Sequence, residues 1–195
     1  MLESTALVAG STLPATGKPA VGRRERVAAM LQQHFKLVWR TVRRLGVSEA
    51  ACDDAAQHVF IVAADRLEQI PPGKERAFLL GTACRVAANA RRTQARRPEV
   101  NDDERLTREK HPSPDPEQLL QMKQMRELLD ELLARLSDDL RTVFVLFELE
   151  RLSSADIAEM LGIPIGTVAS RLRRARAAFE AQVEQLKSTS EGDRP

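Results

Sequence analysis

A basic helix face near the C-terminus carries the side chains best suited to chemistry in this chain. Arginine, serine and threonine donate hydrogen bonds to phosphates and base edges, and arginine can bind guanine through two such bonds. The spacing of Val168, Leu172, Ala175 and Phe179 predicts a helix with one apolar side. The opposite side carries the candidate DNA-binding residues Thr167, Ser170, Arg171, Arg173, Arg174 and Arg176.

The residues before this helix predict a shorter helix and a tight turn. Ser153 and Asp156 form a capping-box-like start. Gly162 fits a left-handed helix end, and Pro164 prevents continuation of the first helix. Together the two helices give a helix-turn-helix pattern at about residues 153–176, the kind that reads a DNA major groove. A helical hairpin with a solvated arginine face is the structural alternative.

A second basic segment lies in the middle of the chain and is followed by an acidic one. Residues 85–97 hold five arginines and no acid, whereas residues 99–117 hold seven acids and only three basic residues. Two basic patches on either side of an acidic connector are typical of a protein that grips a polyanion at two places, although the net charge is only +2. The second set of candidate DNA-binding residues is Arg85, Asn89, Arg92 and Arg96.

Helical periodicity runs through both halves of the chain, so we expect an all-α protein of two small domains. Residues 24–97 predict a first domain with helices at about 24–45, 48–67 and 74–97; Leu31 and Phe35 belong to the predicted buried stripe of its first helix. Residues 98–116 predict a flexible acidic linker. Residues 117–187 predict a second domain, with helices at about 117–136 and 138–149 before the helix-turn-helix. Residues 1–23 and 188–195 are expected to be disordered tails.

Several classes of function are disfavoured by the residues present. Cys52 and Cys84 have no metal-ligand spacing, and two isolated thiols in a helical protein indicate core packing in a reducing cytosol. No apolar run approaches the length of a membrane span, and the N-terminus lacks the basic start of a signal peptide. We find no phosphate-binding glycine loop and no nucleophile–base pair, and therefore expect no catalytic residue, no metal and no cofactor.

Three segments resemble the sigma-70 family, and in particular its extracytoplasmic-function type (group IV). Residues 133–176, which end in IPIGTVASRLRRAR, are similar to sigma region 4. The segment ACDDAAQHVF, residues 51–60, resembles region 2.2, and RAFLLGTACRVAANARRTQARR, residues 76–97, resembles regions 2.3 and 2.4. The resemblance implies a non-catalytic RNA polymerase sigma factor that directs promoter-specific transcription initiation in the cytoplasm.

The resemblance also implies roles for particular residues. The helix-turn-helix would read the −35 element, and the Arg85–Arg96 face would melt the −10 element and capture a flipped base. Asp53, Asp54 and Gln57 would bind the β′ coiled coil of core polymerase. The expected partners are promoter DNA, the core enzyme (β′ coiled coil and β flap) and, as a further candidate, an anti-sigma factor.

Two rival interpretations remain at this point. One is a stand-alone helix-turn-helix regulator whose N-terminal helices dimerise or sense a ligand. The other is a helical interaction protein, such as an anti-sigma factor or an adaptor. The acid-free arginine helix at residues 85–97 argues against the first, because a dimerisation domain has no need of it, and the Arg171–Arg176 cluster argues against the second.

Overall fold

Helices make up all the regular structure in residues 22–96 and 116–192, the ranges that the computed structural model describes. In chain order they are α1 (Arg23–Arg44), α2 (Glu49–Asp65), a 3₁₀ turn (Leu67–Gln69), α3 (Glu75–Arg96), α4 (Pro116–Ala134), α5 (Asp138–Phe144), a π-helical segment (Val145–Leu149), α6 (Ser154–Leu161) and α7 (Ile165–Gly192). The predicted all-α fold is confirmed. The predicted linker lies outside the described residues except for Pro116, which begins α4. None of the described helices is long and apolar enough to cross a bilayer.

The first group of helices, α1 to α3, packs around an apolar core built from positions three and four residues apart. On α3 these positions are Leu79, Ala83 and Ala87, each fully buried, because that spacing places side chains on one helix face. The stripe predicted for α1 is wrong at one turn: Leu31 and Phe35 are 44% and 37% exposed. Periodicity identifies the apolar side of a helix but does not show how far along it a neighbouring helix extends.

In the second group, α4 to α7, a buried arginine links α5 to the end of α4. The guanidinium of Arg141 on α5 donates to the carbonyl oxygens of Leu133 and Ala134, each at 2.7 Å, and of Leu136 at 3.1 Å. The carbonyls of Leu133 and Ala134 lie at the end of α4, where a helix has no partners of its own for them, and that of Leu136 lies just after it. Burial lowers the pKa of Arg141, yet its donors are satisfied. A side chain of α5 therefore completes the hydrogen bonding of α4.

The helix-turn-helix has the local structure that its sequence predicts. The Ser153 hydroxyl accepts a hydrogen bond from the Asp156 backbone N–H at 3.1 Å and donates to the Asp156 carboxylate at 2.6 Å. Gly162 ends α6 in the left-handed conformation, with φ of 65°. Ser48 and Ser137 also occupy their predicted N-cap positions, but their side chains make no capping hydrogen bond.

Two boundaries differ from the prediction. The helix expected over residues 138–149 divides into α5 and the π-helical segment, after which Arg151 adopts φ of 55°. The predicted tail beginning at residue 188 is instead helical as far as Gly192. No glycine or proline lies between Thr167 and Gly192, so α7 meets no residue that would end it earlier.

The two groups of helices are in direct contact. Leu133, Phe144 and Val145 of the second group lie in the same buried cluster as the residues of α1, α2 and α3. Conversely, Leu80 of α3 is buried in a cluster formed mainly by residues of the second group. The described residues therefore share a continuous interior across the two groups.

Candidate nucleic-acid interface

Four of the six candidate residues of α7 are exposed: Ser170, Arg173 and Arg174 on its outer face, and Arg176 at the margin of that face. Val168 is fully buried and fixes the inward side of the helix. Residues advance by about 100° around an α-helix, so Ser170, Arg173 and Arg174 lie away from that side, and all three are exposed. Thr167 is half-buried, and its carbonyl accepts a hydrogen bond from the Ser170 hydroxyl at 3.0 Å. This face has the donors that base edges and phosphates require.

Arg171 and Arg176 flank the buried side of α7, and each is held by an acid. Arg171 Nη2 lies 2.5 Å from Asp139 Oδ2, and Arg176 Nη2 lies 2.6 Å from Glu148 Oε1. The Arg176 guanidinium also lies over the Phe147 ring, 5.3 Å from its centroid. The sequence prediction placed both arginines on the same face as Arg173 and Arg174. Their acidic partners are 32 and 28 residues away in the chain, so spacing along α7 could not reveal the pairing.

The candidate residues of α3 form a second exposed basic face. Arg85, Asn89 and Arg92 are exposed and lie at helical spacing. Arg92 donates to the Asn89 side-chain oxygen at 2.8 Å, and Arg85 donates to the Thr82 hydroxyl at 3.2 Å. Neither arginine has an ion-pair partner among the described residues. Arg96 is the last residue of α3, and its side chain lies outside the described part of the chain.

Arg91 belongs to the same basic run but not to this face. Its side chain donates to Asp138 at 3.1 Å and to the carbonyl of Leu45, at the junction between the two helix groups. The basic run that the sequence presents as one patch is therefore divided by the fold. Part of it faces solvent, and Arg91 joins α3 to α5.

The candidate polymerase-binding residues lie together on the exposed side of α2. Asp53, Asp54 and Gln57 are all exposed. Asp53 Oδ1 accepts a hydrogen bond from the indole nitrogen of Trp39 at 2.9 Å, which fixes the position of this carboxylate. Trp39 is half-buried against the first core, so it both packs and orients a surface acid.

An apolar groove beside these residues was missed by the sequence analysis. It has a volume of about 630 Å³, and Asp53 and Gln57 form its polar edge. Phe35 and Phe60 stack along it with ring centroids 6.2 Å apart. The remaining lining residues are Val27, Leu31, Ile61 and Ala64. The exposed Ile61, on an otherwise polar side of α2, is the signal in the sequence that could have indicated this groove.

Neither cysteine has the properties of a reactive or metal-binding thiol. Burial raises the pKa of both Cys52 and Cys84 to about 12, so both remain protonated at neutral pH. Within the described ranges, no three His, Cys, Asp or Glu residues are grouped so that they could hold a metal ion.

Comparison with known proteins identifies the family of the chain. The family Sigma-70 region 2 matches residues 30–97, and the family Sigma-70, region 4 matches residues 126–179. The chain is also 31% identical over 141 residues to the ECF RNA polymerase sigma-E factor of Escherichia coli K12, covering 68% of this chain and 74% of that protein. This chain belongs to the sigma-70 family. It is an RNA polymerase sigma factor of the extracytoplasmic-function type, whose partners are core polymerase and promoter DNA, and not a stand-alone regulator.

Further relatives agree with this assignment. The sigma-E factor of Salmonella typhimurium LT2 is 33% identical over 116 residues, covering 56% of this chain and 61% of that protein. The fold is similar to that of CnrH, solved in complex with the cytosolic domain of CnrY, with a TM-score of 0.62, 21% identity, and coverage of 84% of this chain and 90% of that one. It is also similar to RpoE from Bartonella quintana, solved with the anti-sigma factor NepR, with a TM-score of 0.61, 18% identity, and coverage of 82% and 97%. The family and the function expected from the sequence are therefore confirmed.

Proposed function

We propose that this sigma factor contacts a promoter through two separate faces, α7 at the −35 element and α3 at the −10 element. The observation that carries the proposal is that Arg174 of α7 and Arg92 of α3 belong to two exposed basic faces on different helices. On α7 the bases would be read by Ser170, Arg173 and Arg174, which face solvent. Thr167, Arg171 and Arg176 would contact the DNA backbone at the margins of this face.

The α3 face would act on opened DNA. Asn89 offers an amide that can read a base edge, while Arg85, Arg92 and Arg96 would hold the phosphates of the single strand. No acid lies between Arg85 and Arg96 to repel that strand. Opening a duplex costs a few kcal/mol, which contacts to an extruded base and its backbone can offset.

The α1–α2 groove and its acidic edge would bind the β′ coiled coil of core polymerase. Its apolar lining offers burial, and Asp53, Asp54 and Gln57 offer polar contacts at the rim, which is the usual arrangement of a protein interface. The hydrogen bond from Trp39 holds Asp53 in place before binding. This groove lies on α1 and α2, whereas the two basic faces lie on α3 and α7.

Charge reversal tests this assignment. The double variant Asp53→Lys with Asp54→Lys should bind core polymerase at least about tenfold more weakly, because juxtaposed like charges cost several kcal/mol. Asp65→Lys with Glu68→Lys makes the same charge change on exposed residues outside the groove lining and serves as the matched control. Affinity would be measured by competition against a second sigma factor. Equal affinities for the two double variants would show that the acidic edge is not part of the docking surface.

Further features follow from the family assignment. We assign nucleotide polymerisation to the core enzyme and no catalytic step to this chain, which would act in the cytoplasm wherever polymerase transcribes. Because RpoE is solved with an anti-sigma factor, we include such a protein among the candidate partners. We place the functional domains at residues 24–97 and 117–187, which enclose the two family matches.

A further inference from the structure

Gly166, in the first turn of α7, is a glycine that the packing of the described residues does not require. A Cβ atom at this position would have no neighbour from the rest of the described chain within 4 Å. Its φ is not positive, in contrast to those of Gly46, Gly73 and Gly162, so alanine can adopt the same backbone conformation. Among the described residues, nothing explains why position 166 lacks a side chain.

A glycine inside a helix carries a cost, because it loses more backbone entropy on folding than any other residue does. Where α3 carries one, at Gly81, the cause is visible: a Cβ atom there would lie 3.0 Å from Met160 Cγ. Gly166 bears the same cost without such a neighbour. A molecule that packs against the outer side of α7 would supply the missing cause.

Gly166 and Ser170 lie at the middle of the outer face of α7. Each is two residues from the fully buried Val168, so each lies about 160° around the helix from that side chain. Both are exposed, and a separation of four residues makes them neighbours on the helix surface. Arg173 and Arg174 continue this face in the next turn. The face therefore begins with its two smallest residues and continues with its two largest.

The Ser170 hydroxyl already donates a hydrogen bond within its own helix. Its acceptor is the carbonyl oxygen of Thr167, at 3.0 Å. A hydroxyl has one proton and two lone pairs, so Ser170 can still accept a hydrogen bond. In the major groove the donors are the amino groups of adenine, at N6, and of cytosine, at N4. Ser170 is therefore suited to bind one of these amino groups.

A serine side chain is short, so the helix backbone must come close to the bases before Ser170 can bind one. The major groove is about 12 Å wide, and an α-helix with its side chains is about 10–12 Å in diameter. The side chains on the outer line of the helix therefore set the depth to which it enters. A hydrogen bond requires the Ser170 oxygen within about 3 Å of the amino nitrogen. A bulky residue at position 166 would hold the backbone too far away for this bond.

The first turn of α7 is fixed within the protein and cannot readily move aside for a larger residue. The backbone N–H groups of Thr167 and Val168 both donate to the carbonyl oxygen of Pro164, at 2.9 and 3.2 Å. The Val168 side chain is fully buried in the cluster that also holds Ile157. Extra bulk on the outer side of this turn would therefore meet the DNA and would not be absorbed by a shift of the helix.

We propose that Gly166 is a positioning residue for promoter recognition: its missing side chain lets α7 approach the base edges closely enough for the Ser170 hydroxyl to accept a hydrogen bond from an adenine or cytosine amino group. The proposal rests on the proposed function of α7 at the −35 element and gives Ser170 a defined chemical partner there. Arg173 and Arg174 depend less on this depth, because their longer side chains reach base edges from further away.

Removal of the amino group from the DNA tests the partner of Ser170. Binding of the holoenzyme to a transcribed promoter and to its single-base −35 variants gives the position at which Ser170→Ala lowers discrimination, by about tenfold. At that position, a base analogue that lacks the amino group should weaken wild-type binding by a similar factor and leave Ser170→Ala binding unchanged. Equal analogue effects in both proteins, or undiminished discrimination in Ser170→Ala, would overturn the assignment.

Gly166→Leu tests the positioning role. This variant should lose the discrimination that Ser170 provides, although the serine is still present. Adding Ser170→Ala to Gly166→Leu should change nothing further at that base pair, because substitutions that remove the same contact are not additive. The discrimination that Arg174→Ala removes should be largely retained in Gly166→Leu. Gly166→Ala, with a single added carbon, should show a smaller loss of the same kind.

Stability distinguishes this role from damage to the fold. Both Gly166 variants should raise the urea midpoint, since alanine and leucine favour a helix more than glycine does. A lowered midpoint would show that the fold itself needs the glycine, and would overturn the proposal. Ala181→Leu is the control: it adds bulk at an exposed position about four turns further along α7 and should leave −35 discrimination unchanged.

The remaining outcomes separate the positioning role from the function of α7. Full discrimination in Gly166→Leu, or additive effects of Gly166→Leu and Ser170→Ala, would overturn the positioning role while the loss caused by Arg174→Ala upholds α7 as the reading helix. If Arg174→Ala and Ser170→Ala both keep full −35 discrimination, α7 does not read this element, and the proposed function of that face fails as well.

Discussion

The two arginine-bearing helices, α3 and α7, present their charge in different ways. On α7, Arg171 and Arg176 form ion pairs with acids of the same helix group, whereas Ser170, Arg173 and Arg174 point outward without an acidic partner among the described residues. On α3, Arg85 and Arg92 contact only neutral oxygen atoms of their own helix. The first arrangement fixes a rigid surface with a few free donors, as reading a regular duplex requires. The second leaves cations that no acid holds, and such side chains suit the phosphates of an irregular single strand.

The two helices also differ in the neighbours against which they pack. α7 starts at a capped turn and packs against α5 and α6, whereas α3 is the third member of a larger helical core. The buried cluster that holds Val168 and Leu172 of α7 is the smaller of the two, so the α7 face should be the easier to disrupt.

The largest effect should come from removing the support of α7. Ile157 of α6 is fully buried against α7, and truncation of a buried isoleucine to alanine costs about 2–5 kcal/mol. Ile157→Ala should lower stability in urea unfolding by that amount and abolish preference for the −35 element, while binding to core polymerase through α1 and α2 persists. Ile165→Ala, at a 56% exposed position, is the control and should change stability little. Unchanged −35 preference in a destabilised Ile157→Ala protein would contradict the inference that the α7 face is easier to disrupt than the α3 face.

The next effect concerns base reading on α7 itself. Arg174→Ala should reduce discrimination between −35 variants by about 1–3 kcal/mol, the worth of a bidentate arginine–guanine contact. Arg171→Ala should reduce it less than Arg174→Ala does, because Arg171 is shared with Asp139. Run-off transcription from a set of single-base −35 variants measures both. If Arg171→Ala is the more damaging variant, the ion pair with Asp139 positions Arg171 for base reading and does not hold it away from the DNA.

A third effect separates duplex binding from strand capture on α3. Asn89→Ala with Arg92→Ala should leave closed-complex formation nearly intact but slow open-complex formation by about tenfold, since contacts to the opened strand are lost. A promoter with a pre-melted −10 bubble should restore much of the rate. Permanganate footprinting of −10 thymines reports the opening. Normal reactivity in the double variant would mean that the α3 face binds phosphate without regard to melting.

The smallest effect concerns the cap of α6. Ser153→Ala removes one hydrogen bond to the backbone and should cost about 1 kcal/mol. The hydrogen bond from the Ser153 hydroxyl lowers the pKa of Asp156, so the stabilisation by this carboxylate is present above the ordinary aspartate pKa of about 3.9. It is lost as the pH falls through the lowered value. The difference between the urea midpoints of the wild type and of Ser153→Ala should therefore be larger at pH 7 than in strong acid, where only the hydrogen bond to the backbone N–H remains; a constant difference would exclude the carboxylate from the effect.

Local signals in the sequence predicted local structure well. The serine at position 153, Gly162 and Pro164 defined the helix-turn-helix because capping and turn conformations depend on a few adjacent residues. The family, the all-α fold and the sigma-factor function were also predicted and are confirmed. The residue-level roles in DNA and polymerase binding remain predictions.

Features that depend on distant parts of the chain were not predictable in this way. Nothing in the sequence distinguishes Glu150 from an exposed acid, and only the approach of α1 and α3 buries it. Phe35 reads as core because it fits the apolar period of α1, yet it lines the exposed groove. Arg91 and Arg92 are adjacent in one basic run, but the fold turns one towards Asp138 and the other towards solvent. In each case the partner in the folded chain decided the outcome.

The arginine that closes α4 has a consequence for how the second group folds and exchanges hydrogen with solvent. Because Arg141 of α5 binds three carbonyls at the end of α4, that end cannot fray without also breaking the attachment of α5. The last turn of α4 and the first turns of α5 should therefore open as one cooperative unit. Their amides, including that of Leu136, would exchange at a common and slow rate, in contrast to the fast exchange that is usual at the end of a helix.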